Sequence, residues 1–349
     1  MTSSAPLTRR ALLAAPLLPA CTPVVIPAGP ATGSPGIVAA PDGLADGLVM
    51  ADGARLPLRS WLPEGDAPPV RAVLLCLHGF NESRNFMVEP APALNAAGIA
   101  VYAYDQRGFG AAPNRTYWPG TATLAADATA ATRLLAARHP GAPVFLLGES
   151  MGGAVALVAA ASDDPPPVAG HVLLAPAVWG RATMPRFVVG LLEVFAHTIP
   201  IVATSPGTAF TVTPTDNVDA LRRLSRDPLT IGQTRVDAAY GLVGLMDDAL
   251  AAAPRLPAAT PPMLLIYGGR DQLVPPVATR MLLSRLPDAA PWRIAYYPRS
   301  YHLALRDRAA PTVIADIVAW MAASGASLPS GAEVAGRLWL LGQSRRREP

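Results

Sequence analysis

Three short stretches of the 349-residue chain hold side chains that could act together on an acyl group. Ser150 stands in Gly148-Glu-Ser150-Met-Gly152-Gly153, Asp271 in Gly268-Gly-Arg-Asp271, and His302 in "YYPRSYHLALRD". Serine-based acyl transfer needs a nucleophile, a base to take its proton, an acid to orient the base, and donors for the oxyanion. The motif around Ser150 is weak alone, because a serine at the start of a helix also serves as a plain N-cap. Asp271 has an ordinary alternative too, as a turn residue ahead of Pro275.

The elements that must hold these residues decide between the readings. "PVFLLG" before Ser150 is a strand pattern and "MGGAVALV" after it a helix. A turn that sharp needs small residues two positions either side of the serine, since strand and helix backbones nearly touch. Gly148 and Gly152 supply them, and Gly153 eases the packing of helix on strand. The helix N-terminus adds a dipole that favours developing negative charge. Asp271 follows the strand "MLLIYGG", and open α/β sheets build their sites at the carboxyl ends of strands.

Of the five histidines, His139 ends a helix, His171 begins a strand, His197 lies in a helical insertion, and His78 directly follows a strand. His302 stands in a loop between the last strand and the final helix, where a general base belongs. The oxyanion donors are expected to be backbone amides: the N–H of Met151 and that of Phe80 in "LHGFNESRN".

The rest of the chain supplies a frame. A hairpin is expected around Asp52-Gly53. "VRAVLLCLHG", "AVYAYD", "APVFLLGE" and "AGHVLLAPA" then alternate with helical stretches. Such near-continuous apolar strands indicate the α/β class, a mostly parallel, doubly wound sheet covered on both faces. The alternation stops at Val178 and resumes after Pro257. This divides the chain into a core of residues 44–177 and 258–325, a helical cap of residues 178–257, and a C-terminal tail of residues 326–349 carrying one more apolar helix. "FVVGLLEVFAHTIPIV" in the cap is apolar on nearly every face, with the single acid Glu193, and is expected to pack mostly on the core. A lid with so few charges suits acyl chains. An aminopeptidase would need acids for the substrate's free amine, and Glu193, Asp216, Asp219, Asp237, Asp247 and Asp248 could supply them.

Composition narrows the chemistry. All 28 basic residues are arginine, so lysine Schiff-base and lysine-base mechanisms are excluded. No basic stripe runs through the interior, which argues against nucleic acid as a partner. Cys76, inside "AVLLCLHGF", reads as a small buried hydrophobe. The expected reaction needs no cofactor and no metal.

The N-terminus reads as an address. Residues 1–20 form a signal peptide, with Arg9-Arg10 ahead of an apolar stretch of ten that is too short to span a bilayer. Thr8-Arg9-Arg10-Ala-Leu-Leu13 resembles a twin-arginine signal. Leu18-Pro-Ala-Cys21 resembles a lipobox, although Pro19 is unusual there. Lipidation at Cys21 would anchor an exported protein to a membrane surface in the cell envelope, on the periplasmic side; a soluble periplasmic or secreted protein is the alternative. Residues 21–43, rich in proline and glycine, read as a tether.

"LHGFNESRN", "YAYDQRGFGAAP", "GESMGG", "GGRDQLVPP" and "YHLALRD" occur in this order across residues 44–325. Together they resemble the monoacylglycerol lipase and lysophospholipase group of α/β-hydrolases, which is grouped with serine aminopeptidases. The resemblance implies the α/β-hydrolase fold and a serine hydrolase for small acyl esters, with Ser150, Asp271 and His302 as its triad and the cap as its lid. It also implies that Asp105 to Gly110 form a structural turn. An aminopeptidase or acyltransferase would use the same triad, and a non-catalytic envelope lipoprotein would use the fold for binding alone.

Overall fold

A computed structural model of the chain describes residues 22–39, 46–65, 68–205 and 212–344. The signal peptide, Cys21 and the arginine run 345–347 lie outside the described residues.

The chain opens with β1 (Gly36–Ala39), β2 (Asp46–Val49) and β3 (Arg55–Trp61). It then alternates through β4 (Ala72–Leu77), α1 (Ala91–Ala96), β5 (Ile99–Tyr104), α2 (Thr121–Arg138), β6 (Val144–Glu149), α3 (Met151–Ala160) and β7 (Gly170–Leu174). An insertion follows: α4 (Arg186–Thr198), β8 (Ala203–Thr204), α5 (Val218–Arg226), β9 (Thr234–Arg235) and α6 (Val236–Ala252). Alternation returns with β10 (Met263–Gly268), α7 (Pro276–Arg285), β11 (Trp292–Tyr297) and α8 (Ala310–Ala322), and α9 (Ala332–Ser344) closes the chain.

Nine strands form one sheet in the order β1-β2-β3-β5-β4-β6-β7-β10-β11. All pairings from β5 to β11 are parallel, and β1, β2 and β3 join antiparallel at one edge. β4, β5, β6 and β10 are buried at every residue because both sheet faces are covered. Successive residues feed opposite sides: Leu75, Leu146 and Leu265 join one apolar cluster, and Leu74, Leu147 and Leu264 the other. The hairpin around Asp52-Gly53 forms as β2 and β3, with Gly53 at φ 82°.

Three expectations need correction. The described part of the proline-rich tether does not hang free. Ile26 N–H donates to Trp118 O at 2.8 Å, Ala28 N–H to Thr123 Oγ1 at 3.1 Å, and β1 pairs with β2. Proline removes donors, but the residues between the prolines keep theirs and find acceptors on the domain. Nor does α4 pack mostly on the core: Ala196 is its one buried residue, and Phe187 is 71% exposed. Among the described residues the helix packs chiefly against α6, and most of its apolar residues stay exposed or half-buried. The apolar helix expected in the tail forms as α9, but the segment is not set apart from the core: Trp339 stacks on Tyr296 of β11 at 5.2 Å. α9 therefore closes the sheet's far edge. No helix among the described residues is long and apolar enough to cross a membrane.

Candidate active site

β6 ends at Glu149 and α3 begins at Met151, so Ser150 alone makes the turn between them. Its backbone sits at φ 52°, ψ −112°, a strained conformation for a residue with a Cβ. Hydrogen bonds hold it there: Ser150 N–H donates to Leu174 O at 2.9 Å, and Ser150 O accepts from Ala154 and Ala177. A Cβ on Gly148 would lie 2.5 Å from the nitrogen of Gly153, and one on Gly152 would lie 2.7 Å from Leu77 Cβ. The two glycines let the backbones meet at the required distance. The Ser150 side chain caps no amide of α3, so the N-cap reading is set aside.

Asp271 follows β10 and is fixed through both oxygens. Oδ1 accepts from the amides of Leu273 at 2.7 Å and Val274 at 2.9 Å, while Oδ2 lies 2.8 Å from Nδ1 of His302. A carboxylate so placed holds the proton on Nδ1, leaving Nε2 as the basic nitrogen. His302 is buried in the loop after β11. Gly268 lets that loop cross the end of β10, since a Cβ there would stand 2.6 Å from Ser300 O. Asp307 braces the loop by accepting from Tyr301 N–H at 2.9 Å and Ala309 N–H at 2.8 Å. Burial is the largest influence on His302 and pushes it down, but Asp271, Glu149 and Glu82 together outweigh burial and leave it raised.

The loop after β4 runs beside Ser150: a Cβ on Gly79 would lie 3.6 Å from Ser150 Cβ. His78 pins it. Nε2 accepts from Gln106 N–H at 3.1 Å, so Nδ1 carries the proton and donates to Gly79 O at 2.8 Å. Burial lowers His78 and keeps it neutral. The Phe80 N–H makes no backbone hydrogen bond among the described residues, and the Met151 N–H opens a helix and has no intrahelical acceptor. The same loop is stitched to the insertion, with Asn81 Nδ2 donating to Thr234 Oγ1 at 2.6 Å and Ile231 N–H to Asn81 O at 2.9 Å.

Sequence reasoning passed over a buried charge cluster next to these groups. Arg306 Nη1 lies 2.8 Å from Glu82 Oε2, and Arg306 Nη2 pairs with Glu149. All three are buried, Glu149 completely. Burial, its largest influence, pushes Glu149 up to about 7 against the pull of Arg306. The signal was legible in outline: a carboxylate between Gly148 and Ser150 at the end of an all-apolar strand must have a partner. A cavity of about 580 Å³ opens off Glu82 and Arg306 and runs along α5 past Arg222, Arg223 and Arg226.

The remaining histidines have structural surroundings. His139 Nε2 lies 2.7 Å from Tyr102 Oη, His171 is buried in β7, and His197 Nδ1 donates to Glu193 O at 2.7 Å. Cys76 is fully buried, and its thiol is pushed far up by burial. Asp105 receives the amides of Arg84 and Ala111, both at 2.7 Å, which makes the turn to Gly110 a structural one. Most cap acids proposed for an amine are already engaged. Glu193 and Asp247 hold Arg181, Asp237 holds Arg235, Asp219 holds Arg222, and Asp216 accepts from Arg308 N–H. Asp248 is exposed.

Relatives of the chain are found among known proteins. The sequence pattern of the family described as "Serine aminopeptidase, S33" matches residues 68–309. The monoacylglycerol lipase of Mycolicibacterium smegmatis is 26% identical over 281 residues, covering 77% of this chain and 93% of its own. The human monoglyceride lipase is 28% identical over 258 residues, covering 73% of this chain and 82% of its own. Among solved structures, the monoacylglycerol lipase of Paleococcus ferrophilus superposes with a TM-score of 0.59 at 25% identity, over 76% of this chain and 98% of that one. With its parallel sheet, inserted helices and strained serine between β6 and α3, the chain belongs to the serine aminopeptidase S33 family, as a monoacylglycerol lipase-like α/β-hydrolase.

Proposed function

We propose that this carboxylic ester hydrolase cleaves acyl esters of small amphiphiles, monoacylglycerol-like or lysophospholipid-like, through an acyl-enzyme on Ser150. The observation that carries the reading is the 2.8 Å pair of Asp271 and His302, two loops that follow adjacent strands of the sheet bearing the Ser150 turn. Ser150 Oγ attacks the ester carbonyl and its proton passes to His302 Nε2. The oxyanion accepts from the amides of Met151 and Phe80, donors that are worth about 3–4 kcal/mol each at the transition state. Collapse expels the alcohol, which takes the proton back from His302 and leaves the acyl group on Ser150. Water, activated by the same nitrogen, then releases the acid. Asp271 keeps its negative charge throughout and orients the ring.

The amphiphile rests on the cap, where exposed Phe187, Leu191, Val194 and Ile201 offer apolar surface and the acids Glu193 and Asp247 are engaged by Arg181. A fluorophosphonate probe tests the nucleophile: wild-type protein labels and Ser150→Ala does not. A panel of monoacylglycerols, p-nitrophenyl esters and aminoacyl amides tests the substrate class. Faster turnover of the amides than of the acylglycerols would replace the ester reading with an aminopeptidase.

Export and lipidation at Cys21 extend this reading. Support comes from the Arg9-Arg10 and Leu18-Pro-Ala-Cys21 pattern and from the arm that follows, where Val24 N–H donates to Asp237 of α6 at 3.4 Å. An anchor three residues upstream would tether the protein on its cap side. Metabolic labelling with a fatty-acid analogue is expected in wild-type protein and absent from Cys21→Ser.

A further inference from the structure

The cluster of Glu82, Arg306 and Glu149 brings together residues from the loop after β4, the loop after β11 and the end of β6. One guanidinium serves two carboxylates. Nη1 lies 2.8 Å from Glu82 Oε2, Nη2 lies 3.1 Å from Glu82 Oε1, and Nη2 also pairs with Glu149 Oε1. The second oxygen of Glu149 is buried and has no hydrogen-bond partner among the described residues. An oxygen left without a partner is expensive to keep in a protein interior if packing is all it serves.

The cluster borders the reacting atoms. Glu149 precedes Ser150 in the chain, and a Cβ on Gly79 would lie 3.5 Å from Glu82 Oε1 and 3.6 Å from Ser150 Cβ. Three carboxylates act on His302: Asp271 from the loop after β10, Glu149 from β6 and Glu82 from the loop after β4; Arg306, from the same loop as His302, pairs with the last two. Glu149 also faces Cys76 on β4, and Glu82 faces His78.

We propose that Glu82, Arg306 and Glu149 form a positioning cluster whose one surplus negative charge, held behind the nucleophile turn, sets the pH at which His302 works as a base. The inference rests on the triad reading above. In it the arginine binds the two loops and the strand end together, while its two carboxylates exceed it by one charge. That excess stabilises the imidazolium formed when Ser150 gives up its proton. Burial, the largest influence on Glu149, raises it to about 7, so the excess is present from about neutral pH upward, the side toward which the carboxylates raise His302.

The test measures the rate constant for fluorophosphonate labelling of Ser150 from pH 5 to 9, which follows the base without any choice of substrate. Removing a negative neighbour makes the imidazolium a stronger acid, so in Glu149→Gln the acid limb of the profile is expected to move to lower pH. The loss of one partly compensated buried charge near the ring gives a displacement of about 0.5–1 pH unit. Glu82→Gln at the other carboxylate is expected to move the limb the same way and serves if Glu149→Gln does not fold. Circular dichroism and the melting temperature confirm that the variants compared are folded. A folded variant with reduced labelling at every pH but an unmoved midpoint would reduce the cluster to a structural brace and overturn the proposal. If wild-type protein fails to label, the triad reading fails with it. If wild-type labels and neither midpoint moves, this inference alone is lost.

Discussion

His171 offers a perturbation whose size follows from the structure. It lies in β7, paired with Leu146 on one side and Met263 on the other, and is 1% exposed. Among the described residues neither ring nitrogen has a hydrogen-bond partner. Burial, with no opposing charge, lowers its pKa from 6.5 to about 4. The native state therefore keeps the ring neutral between those values while the unfolded chain takes up a proton, so acid withdraws stability. Near pH 7 the loss is negligible. At pH 5 the unfolded chain has bound nearly one extra proton, and the loss reaches about 2 kcal/mol. Its full extent, below pH 4, is about 3 kcal/mol. Replacing the ring with an apolar side chain of similar size, as in His171→Leu, abolishes the term and fills the site without an unsatisfied polar group. Urea unfolding at pH 7.5 and pH 5 reads the effect. The stability difference between variant and wild type is expected to grow by about 2 kcal/mol in the variant's favour on going to pH 5. Other titrating groups, His302 among them, are common to both proteins and cancel. A difference that stays the same at the two pH values would mean that the ring has found a partner or a water, and would refute the reasoning.

Asp271→Asn should lower kcat by about 10³–10⁴-fold, because the amide can donate to Nδ1 and hold the wrong tautomer; stopped assays with a p-nitrophenyl ester measure it, and a loss under tenfold would remove Asp271 from its role. Gly152→Ala must push α3 away from Leu77, since its Cβ would lie 2.7 Å from Leu77 Cβ. It is expected to suppress labelling of Ser150 in protein that still folds. Deleting residues 22–35 removes the bond from Val24 to Asp237 and the pairing of Val25 with Trp118. Faster amide exchange at the start of α6 is expected, with the exchange of β4 and β6 unchanged. Phe187→Ser on exposed α4 should leave stability within about 0.5 kcal/mol and reduce turnover of micellar acylglycerol more than of a soluble short-chain ester.

How much of this was legible in the chain depends on the range of the forces involved. The turn at Ser150 could be read because its cause is local: two glycines within two residues of the serine, between an apolar strand and an apolar helix. The parallel sheet could be read because strands buried on both faces must be apolar throughout, as β4 and β6 are. Chain order singled out Asp271 and His302, each just after a strand. The exposure of α4 among the described residues could not be read, because its pattern says only that it is apolar; whether a face is covered is decided by what packs nearby, and there α6 covers one side. The proline-rich arm looked free for a similar reason, since its hydrogen-bond acceptors lie on Trp118, Thr123 and Asp237, about a hundred or more residues away in the chain. The charge cluster is the clearest case. Glu82 and Glu149 lie 224 and 157 residues before Arg306, and no local pattern links them. Only the convergence of three strand ends brings two carboxylates to one guanidinium, and burial there gathers three scattered charges into a single group near His302.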